Sequence, residues 1–229
     1  MHYPYEDMAG MIDHSLLHPT MTDKELRAGC HLAKKYKVAS VCIKPYAVAM
    51  AAKLLKDSGV AVGAVVGFPH GGSTTAVKRY ETLQSCKDGA TEIDMVINIG
   101  ALKGGEHDLV RRDIAGVSDA CRDVGAPNKV IIEAAYLSDE EKVIACRLAV
   151  AGRAGYVKTS TGFGPGGATV FDVALMREVV GEKMGVKAAG GIHTADEVRE
   201  MITAGATRIG ASAGVRIVSG EEGASGGSY

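Results

Sequence analysis

The chain has 229 residues, 46% of them hydrophobic and 23% charged, with a net charge of -1. That size and composition suit one globular domain with a sizeable core, since single α/β barrels run to about 250 residues. The near-neutral balance gives no electrostatic reason for a nucleic acid or an acidic membrane as partner.

Tryptophan is absent and only 3 phenylalanines occur, against 30 glycines. With abundant Ala, Val and Ile, this favours parallel strands buried on both faces. Five cysteines (Cys30, Cys42, Cys86, Cys121, Cys146) occur with no C-x-x-C pair. An odd, scattered set suggests free thiols in a reducing compartment. The opening MHYPYEDMAG has no basic or apolar region of a signal peptide. No apolar run approaches the ~18 residues of a membrane span. A cytoplasmic location is expected.

Short β-rich runs alternate with longer helical ones. Residues 11–14 form a first, short strand, and Thr22-Asp23 caps a helical run ending near Tyr36. Strands follow at 39–44, 60–66, 91–98 and 129–133, with helices at 46–57, 75–88 and 106–123 between them. Ser138 with Asp139, Glu140 and Glu141 has the acidic first turn of a capped helix. Strands at 156–160, 186–189 and 208–211 alternate with helices at 172–183 and 194–204; in the last, Thr194 caps with Glu197 three residues on.

Eight strands alternating with helices predict a single (β/α)8 TIM barrel over residues 1–219. The first and last strands are very short, and losing both would leave an open doubly wound sheet. No G-x-G-x-x-G follows the first strand, which weighs against a dinucleotide fold. Residues 220–229, rich in Gly and Ser, read as a flexible tail.

Strand side chains alternate between faces. If the β-branched residues pack on the helices, the other parity enters the barrel. Ile93, Met95 and Ile97 then face outward while Glu92, Asp94, Val96 and Asn98 face inward. Val157 and Val186 face out; Tyr156, Lys158 and Lys187 face in. Val41 and Ile43 face out; Cys42 and Lys44 face in. Ile12 faces out and Asp13 in. Asp13, Lys44, Asp94, Lys158 and Lys187 are thus expected in one interior, with Lys158 and Lys187 on adjacent strands ~5 Å apart.

One such lysine at a strand end has a bland explanation, since its ammonium can snorkel to water. Two on neighbouring strands, with inward carboxylates at matching depth, suit Schiff-base catalysis better. Burial and a nearby second ammonium both disfavour a charged amine, which activates it as a nucleophile. Lys158 is the expected nucleophile, Lys187 the second ammonium, and Asp94 a proton relay. Thr159 beside Lys158 is an accessory candidate.

Glycine-rich turns follow the sixth, seventh and eighth strands: Gly162-Phe163-Gly164, Gly190-Gly191 and Gly210-Ala211-Ser212. Barrel loops at these places often hold phosphate on backbone N–H groups, although glycine turns are also the ordinary exit from a strand. Three on adjacent strands point to a phosphorylated substrate. The seven histidines include no H-x-H and no H-E-x-x-H, so no metal is expected. No G-x-S-x-G elbow is present.

The motifs IDHSLL, SVCIKPY, GFPHGG, EIDMVINIGAL, KVIIE, VKTSTGFG, VKAAGGI and RIGAS occur in that order. In them the chain resembles the deoxyribose-phosphate aldolases over nearly its whole length. The resemblance implies a metal-free, cofactor-free class I aldolase, usually a homo-oligomer (dimer or tetramer). Its substrates are a phosphosugar and an aldehyde: 2-deoxy-D-ribose 5-phosphate is reversibly cleaved to acetaldehyde and D-glyceraldehyde 3-phosphate. It implies the imine on Lys158, the second lysine at Lys187, the proton relay at Asp94, and phosphate contacts at Gly162, Gly190, Gly191, Gly210 and Ser212.

Several positions depart from the family pattern. His18 stands where lysine is frequent, and Lys44 where a polar residue is. Ala134 and Ala135 follow Glu133, and Ala213 stands where a second serine is common. A missing serine hydroxyl is expected to weaken phosphate binding by on the order of 1–3 kcal/mol. Lys44 is expected as a third inward cation, assisting phosphate or further activating Lys158. Inward Cys42 is expected to be a liability toward enals formed by acetaldehyde self-condensation. Tyr229 at the end of the tail is expected to visit the site as a proton donor or lid. Two rival functions remain at this level: a Schiff-base aldolase for another phosphosugar, and a catalytically idle phosphosugar-binding barrel.

Overall fold

The computed structural model describes residues 4–219. Its strands are β1 Ile12–Leu16, β2 Ser40–Ile43, β3 Ala61–Val66, β4 Glu92–Val96, β5 Asn128–Ile131, β6 Tyr156–Lys158, β7 Gly185–Ala189 and β8 Arg208–Ala211. Its helices are α1 Tyr5–Ala9, α2 Asp23–Tyr36, α3 Val48–Leu55, α4 Thr75–Lys87, α5 Ile99–Lys103, α6 His107–Asp123, α7 Asp139–Ala151, α8 Val170–Val180, α9 Ala195–Thr203 and α10 Gly214–Ser219.

All eight strands pair in parallel and in sequence order, and β1 closes on β8 through Asp13 opposite Gly210. The open-sheet alternative is therefore wrong: the short first and last strands are the closing pair. β1 runs two residues past the expected end and β6 stops two short of it.

Outward residues make the core between barrel and helices. Val41, Ile43, Ile93, Met95, Val130, Val157, Val186 and Ile209 are all fully buried there. Each such side chain contributes roughly 1.5–3 kcal/mol when withdrawn from water. Helix starts follow the expected chemistry. Thr22, Ser138 and Thr194 each accept the N–H of the residue three positions on, and the glutamate at that position returns to the cap backbone. The short helices α1, α5 and α10 carry too few residues for a periodic pattern, which hid them from sequence reasoning.

His14 points outward from β1, and α10 begins against it: a Cβ placed on Gly214 would stand 3.7 Å from His14 Nδ1. Burial pushes this imidazole from 6.5 down to about 4. Between those values the unfolded chain binds a proton that the folded chain refuses, so stability falls as pH drops through that window. The loss reaches about 3 kcal/mol at 1.36 kcal/mol per pH unit. Urea midpoints measured from pH 7 to 4 should show this slope in the wild type and a flatter one in His14→Asn. Equal slopes would remove His14 as the cause.

Candidate active site

The strand register brings the predicted lysines together: Lys158 lies opposite Lys187 across β6 and β7. Both ammonium groups reach the same oxygen of Asp94 on β4, at 2.8 Å from Lys158 and 2.7 Å from Lys187. Lys187 also forms an ion pair of 2.6 Å with Asp13 of β1. The other Asp94 oxygen accepts from Lys129 of β5 at 2.9 Å. Lys129 continues to Glu92 at 2.6 Å, and Arg208 of β8 donates to Asp13 at 2.6 Å and Glu92 at 3.2 Å. Ser40 donates to Asp13 at 2.6 Å. Three carboxylates and four basic side chains therefore form one connected polar core across the barrel.

This network decides which groups stay charged. Burial opposes ionisation of Asp94, but Lys129, Lys158 and Lys187 outweigh it and hold the carboxyl well below the usual range. Burial likewise opposes charge on Lys187, yet Asp13 and Asp94 hold its ammonium well above the ordinary lysine value. Lys187 is a retained cation. Lys158 differs in its company, because Asp94 is its only ion-pair partner among the described residues, whereas Lys129 and Lys187 each have more than one.

Above the polar core a cleft opens on the side where the strands end. Lys158 and Lys187 stand in its lining with Asp13 and Cys42, and the wall beyond them is glycine backbone. Gly162, Gly190, Gly191, Gly210 and Ser212 all line it. Gly162 (φ +88°), Gly190 (φ +86°) and Gly191 (φ +72°) hold conformations that L side chains rarely adopt. The β6 and β7 turns also touch: a Cβ on Gly167 would lie 2.3 Å from the Gly190 carbonyl oxygen. An amine beside a retained ammonium and a carboxylate, opening onto backbone N–H groups, can form an imine with a carbonyl compound bearing an anionic tail.

Residues 8–227 match the model of the DeoC/LacD family aldolases. The chain belongs to the DeoC/LacD aldolase family. It is 56% identical over 213 residues to a deoxyribose-phosphate aldolase of Enterococcus faecalis, covering 93% of this chain and 96% of that one. It is 54% identical to the deoxyribose-phosphate aldolase of Caldanaerobacter subterraneus, covering 93% and 92% of the two chains. The tetrameric deoxyribose phosphate aldolase structure from Aeropyrum pernix superposes with a TM-score of 0.89 at 30% identity, covering 95% and 92%.

Within this family member, parity placed Asp13, Cys42, Asp94, Lys158 and Lys187 as the barrel has them. It misplaced Lys44. β2 ends at Ile43, and Pro45 starts a turn of 3-10 helix, so strand alternation no longer applies there. The Lys44 ammonium turns aside to the carbonyls of His18 (3.0 Å) and Met21 (3.2 Å) and lies 5.5 Å above the Tyr46 ring. The third inward lysine is Lys129 instead. Thr159 also leaves the site: its hydroxyl donates to the Ala189 carbonyl and accepts the Ala189 N–H, tying β6 to β7. Ala213 packs in the hydrophobic core rather than along the cleft. The expected loss of a phosphate contact therefore does not apply to its side chain. Tyr229 lies outside the described residues.

Sequence reasoning missed Lys129, Arg208, Glu133 and the cleft residue His193. The first had a legible signal. With Val130 and Ile132 facing outward, the alternation used for the other strands puts Lys129 inside. Arg208 carried the same signal, since Ile209 beside it faces outward; Glu133 lies beyond the end of β5, where strand alternation no longer applies.

Cys42 reaches Asp94 at 3.8 Å, and burial, reinforced by that carboxylate, pushes its thiol up to about 11. Addition of enals needs the thiolate. Inactivation by crotonaldehyde should therefore be slow at pH 7 and rise roughly tenfold per pH unit toward pH 10. An unchanged inactivation rate in Cys42→Ser would place the damage elsewhere.

Proposed function

We propose that this aldolase cleaves 2-deoxy-D-ribose 5-phosphate reversibly to acetaldehyde and D-glyceraldehyde 3-phosphate, with Lys158 as the imine-forming amine. The shared Asp94 oxygen between Lys158 and Lys187, opening into a glycine-walled cleft, is the observation that carries this reading.

In the proposed sequence Lys158 Nζ attacks the C1 aldehyde of the open sugar, and loss of water gives a protonated imine. That iminium draws electrons, so the C2–C3 bond breaks as the C3 hydroxyl loses its proton. Glyceraldehyde 3-phosphate leaves and an enamine remains. Protonation at C2 regenerates the iminium, and water releases acetaldehyde and the free amine. The proton that leaves the C3 hydroxyl passes through water to the Asp94–Lys187 pair, which returns a proton to C2 of the enamine, so the pair ends the cycle in its starting state. The iminium nitrogen is the electron sink, so the reaction draws on no separate cofactor. The glycine turns with Ser212 take the phosphate.

Among the described residues no helix is long and apolar enough to cross a membrane. The reading includes a cytoplasmic enzyme assembled from copies of this chain. The Aeropyrum pernix relative is tetrameric, and α4 here exposes Val77, Tyr80 and Leu83 at helical spacing.

The test is reduction with borohydride in the presence of acetaldehyde or deoxyribose 5-phosphate, followed by peptide mapping. The expected adduct is on Lys158. Trapping at another lysine, or none, overturns the assignment.

A further inference from the structure

Glu133 follows β5 and does not line the cleft, yet it is tied to the cleft wall. It is buried, and its backbone lies at φ 53° and ψ 63°, the left-handed region that residues other than glycine rarely adopt. Such a conformation persists where the surroundings over-determine it, and it often marks a functional constraint. The Glu133 carboxylate accepts the Thr161 N–H at 3.1 Å and the Thr161 hydroxyl at 2.5 Å. The same hydroxyl oxygen accepts the Phe163 N–H at 3.0 Å. A Cβ on Gly164 would stand 3.1 Å from Glu133 Cδ, so the loop wraps closely around the carboxylate.

The consequence falls on Gly162. Its neighbours on both sides turn their N–H groups inward, to Glu133 directly or through the Thr161 hydroxyl. Gly162 sits between them in a left-handed conformation and lines the cleft. The far end of the same loop is clipped to the turn after β7, where the Ala168 N–H donates to the Gly190 carbonyl at 3.0 Å. A backbone amide recognises an anion only if its direction is held. Here the holding group is a side chain from the turn that follows the preceding strand.

We propose that Glu133 is a positioning residue for phosphate recognition. By holding Thr161 and Phe163 it aims the Gly162 amide at the anion, and so sets the preference for phosphorylated over free sugar. The proposal rests on reading the glycine turns as the phosphate site. Glu133 touches no reacting atom, so its effect belongs in KM for the phosphorylated substrate rather than in imine chemistry.

The experiment compares wild type, Glu133→Gln, Thr161→Val and Thr161→Ser. It measures kcat and KM for deoxyribose 5-phosphate and for free 2-deoxyribose, and the competitive inhibition constant of inorganic phosphate. Acetaldehyde trapping and thermal melting report whether each variant is folded. Glu133→Gln and Thr161→Val should each weaken phosphate inhibition about tenfold, the scale of one hydrogen bond to a charged group. The preference for the phosphorylated sugar should fall by the same factor. Thr161→Ser, which keeps the hydroxyl, should stay near wild type. Unchanged inhibition constants in folded Glu133→Gln and Thr161→Val overturn the proposal, as do equal losses on both sugars. A wild type that phosphate does not inhibit, and that shows no preference for the phosphorylated sugar, overturns the phosphate site itself and this proposal with it.

Discussion

Lys158→Met should lower cleavage of deoxyribose 5-phosphate by on the order of 10^4-fold or more, the scale at which covalent nucleophiles act, and abolish borohydride trapping. The fold should survive the change. Asp94 keeps Lys187 at 2.7 Å on one oxygen and Lys129 at 2.9 Å on the other, so no buried carboxylate is left bare. Methionine fills much of the lysine stem's volume. Circular dichroism and melting near wild type, together with lost activity, separate a chemical role from a structural one. Retained turnover would mean that another amine carries the imine. Lys187→Met is the contrasting case. It removes the close partner of Asp13 Oδ2, which otherwise has only Lys129 at 3.8 Å among the described residues, as well as a partner of Asp94, so stability and activity should fall together.

The second large effect lies in the helical layer. Lys78 of α4 is fully buried, forms an ion pair of 2.5 Å with Asp113 of α6, and donates to the Val96 carbonyl at the end of β4 at 2.8 Å. Its stem also fills the space under the turn after β3, where a Cβ on Gly67 would stand 2.7 Å from Lys78 Cε. Breaking a buried pair from one side leaves an uncompensated charge, at a cost of about 3–5 kcal/mol. For a chain of this size, at roughly 2–4 °C per kcal/mol, Lys78→Met should lower the melting temperature by about 10 °C. The double variant Lys78→Met with Asp113→Leu should recover much of that loss, because neither charge is then stranded. A single variant that melts like the wild type would show that water reaches the pair.

The polar barrel interior and the Lys78 pair follow opposite logics. In the barrel, Asp94 is held by three lysines, so loss of one donor leaves two. In the helical layer, Lys78 has one carboxylate and one carbonyl, so loss of either partner is felt at once. Redundancy around Asp94 allows one amine to engage substrate while the fold stays intact.

Much of the site was legible because strand side chains alternate with a period of two. Val157 and Val186 had to face the helices, which sent Lys158 and Lys187 inward; Ile12 and Ile93 did the same for Asp13 and Asp94. Cap chemistry likewise marked helix starts at Thr22, Ser138 and Thr194, because those bonds span three residues. Lys44 shows where the rule stops, at the residue before Pro45, where the strand has already ended.

Tertiary structure decided the rest, because it depends on distances along the chain that local pattern does not encode. Closure of β1 on β8 joins residues nearly 200 positions apart, such as Arg208 and Asp13. It arises from strand twist and tilt accumulated around the whole sheet. That closure assigned Arg208 to Asp13 and made Lys187 a lasting cation, while pairing of neighbouring strands brought Lys129 to Asp94 and Glu133 to the loop after β6. The amino-acid sequence alone determined which side chains enter the barrel. The closed barrel determined which of them meet, and hence which amine has a single counter-charge.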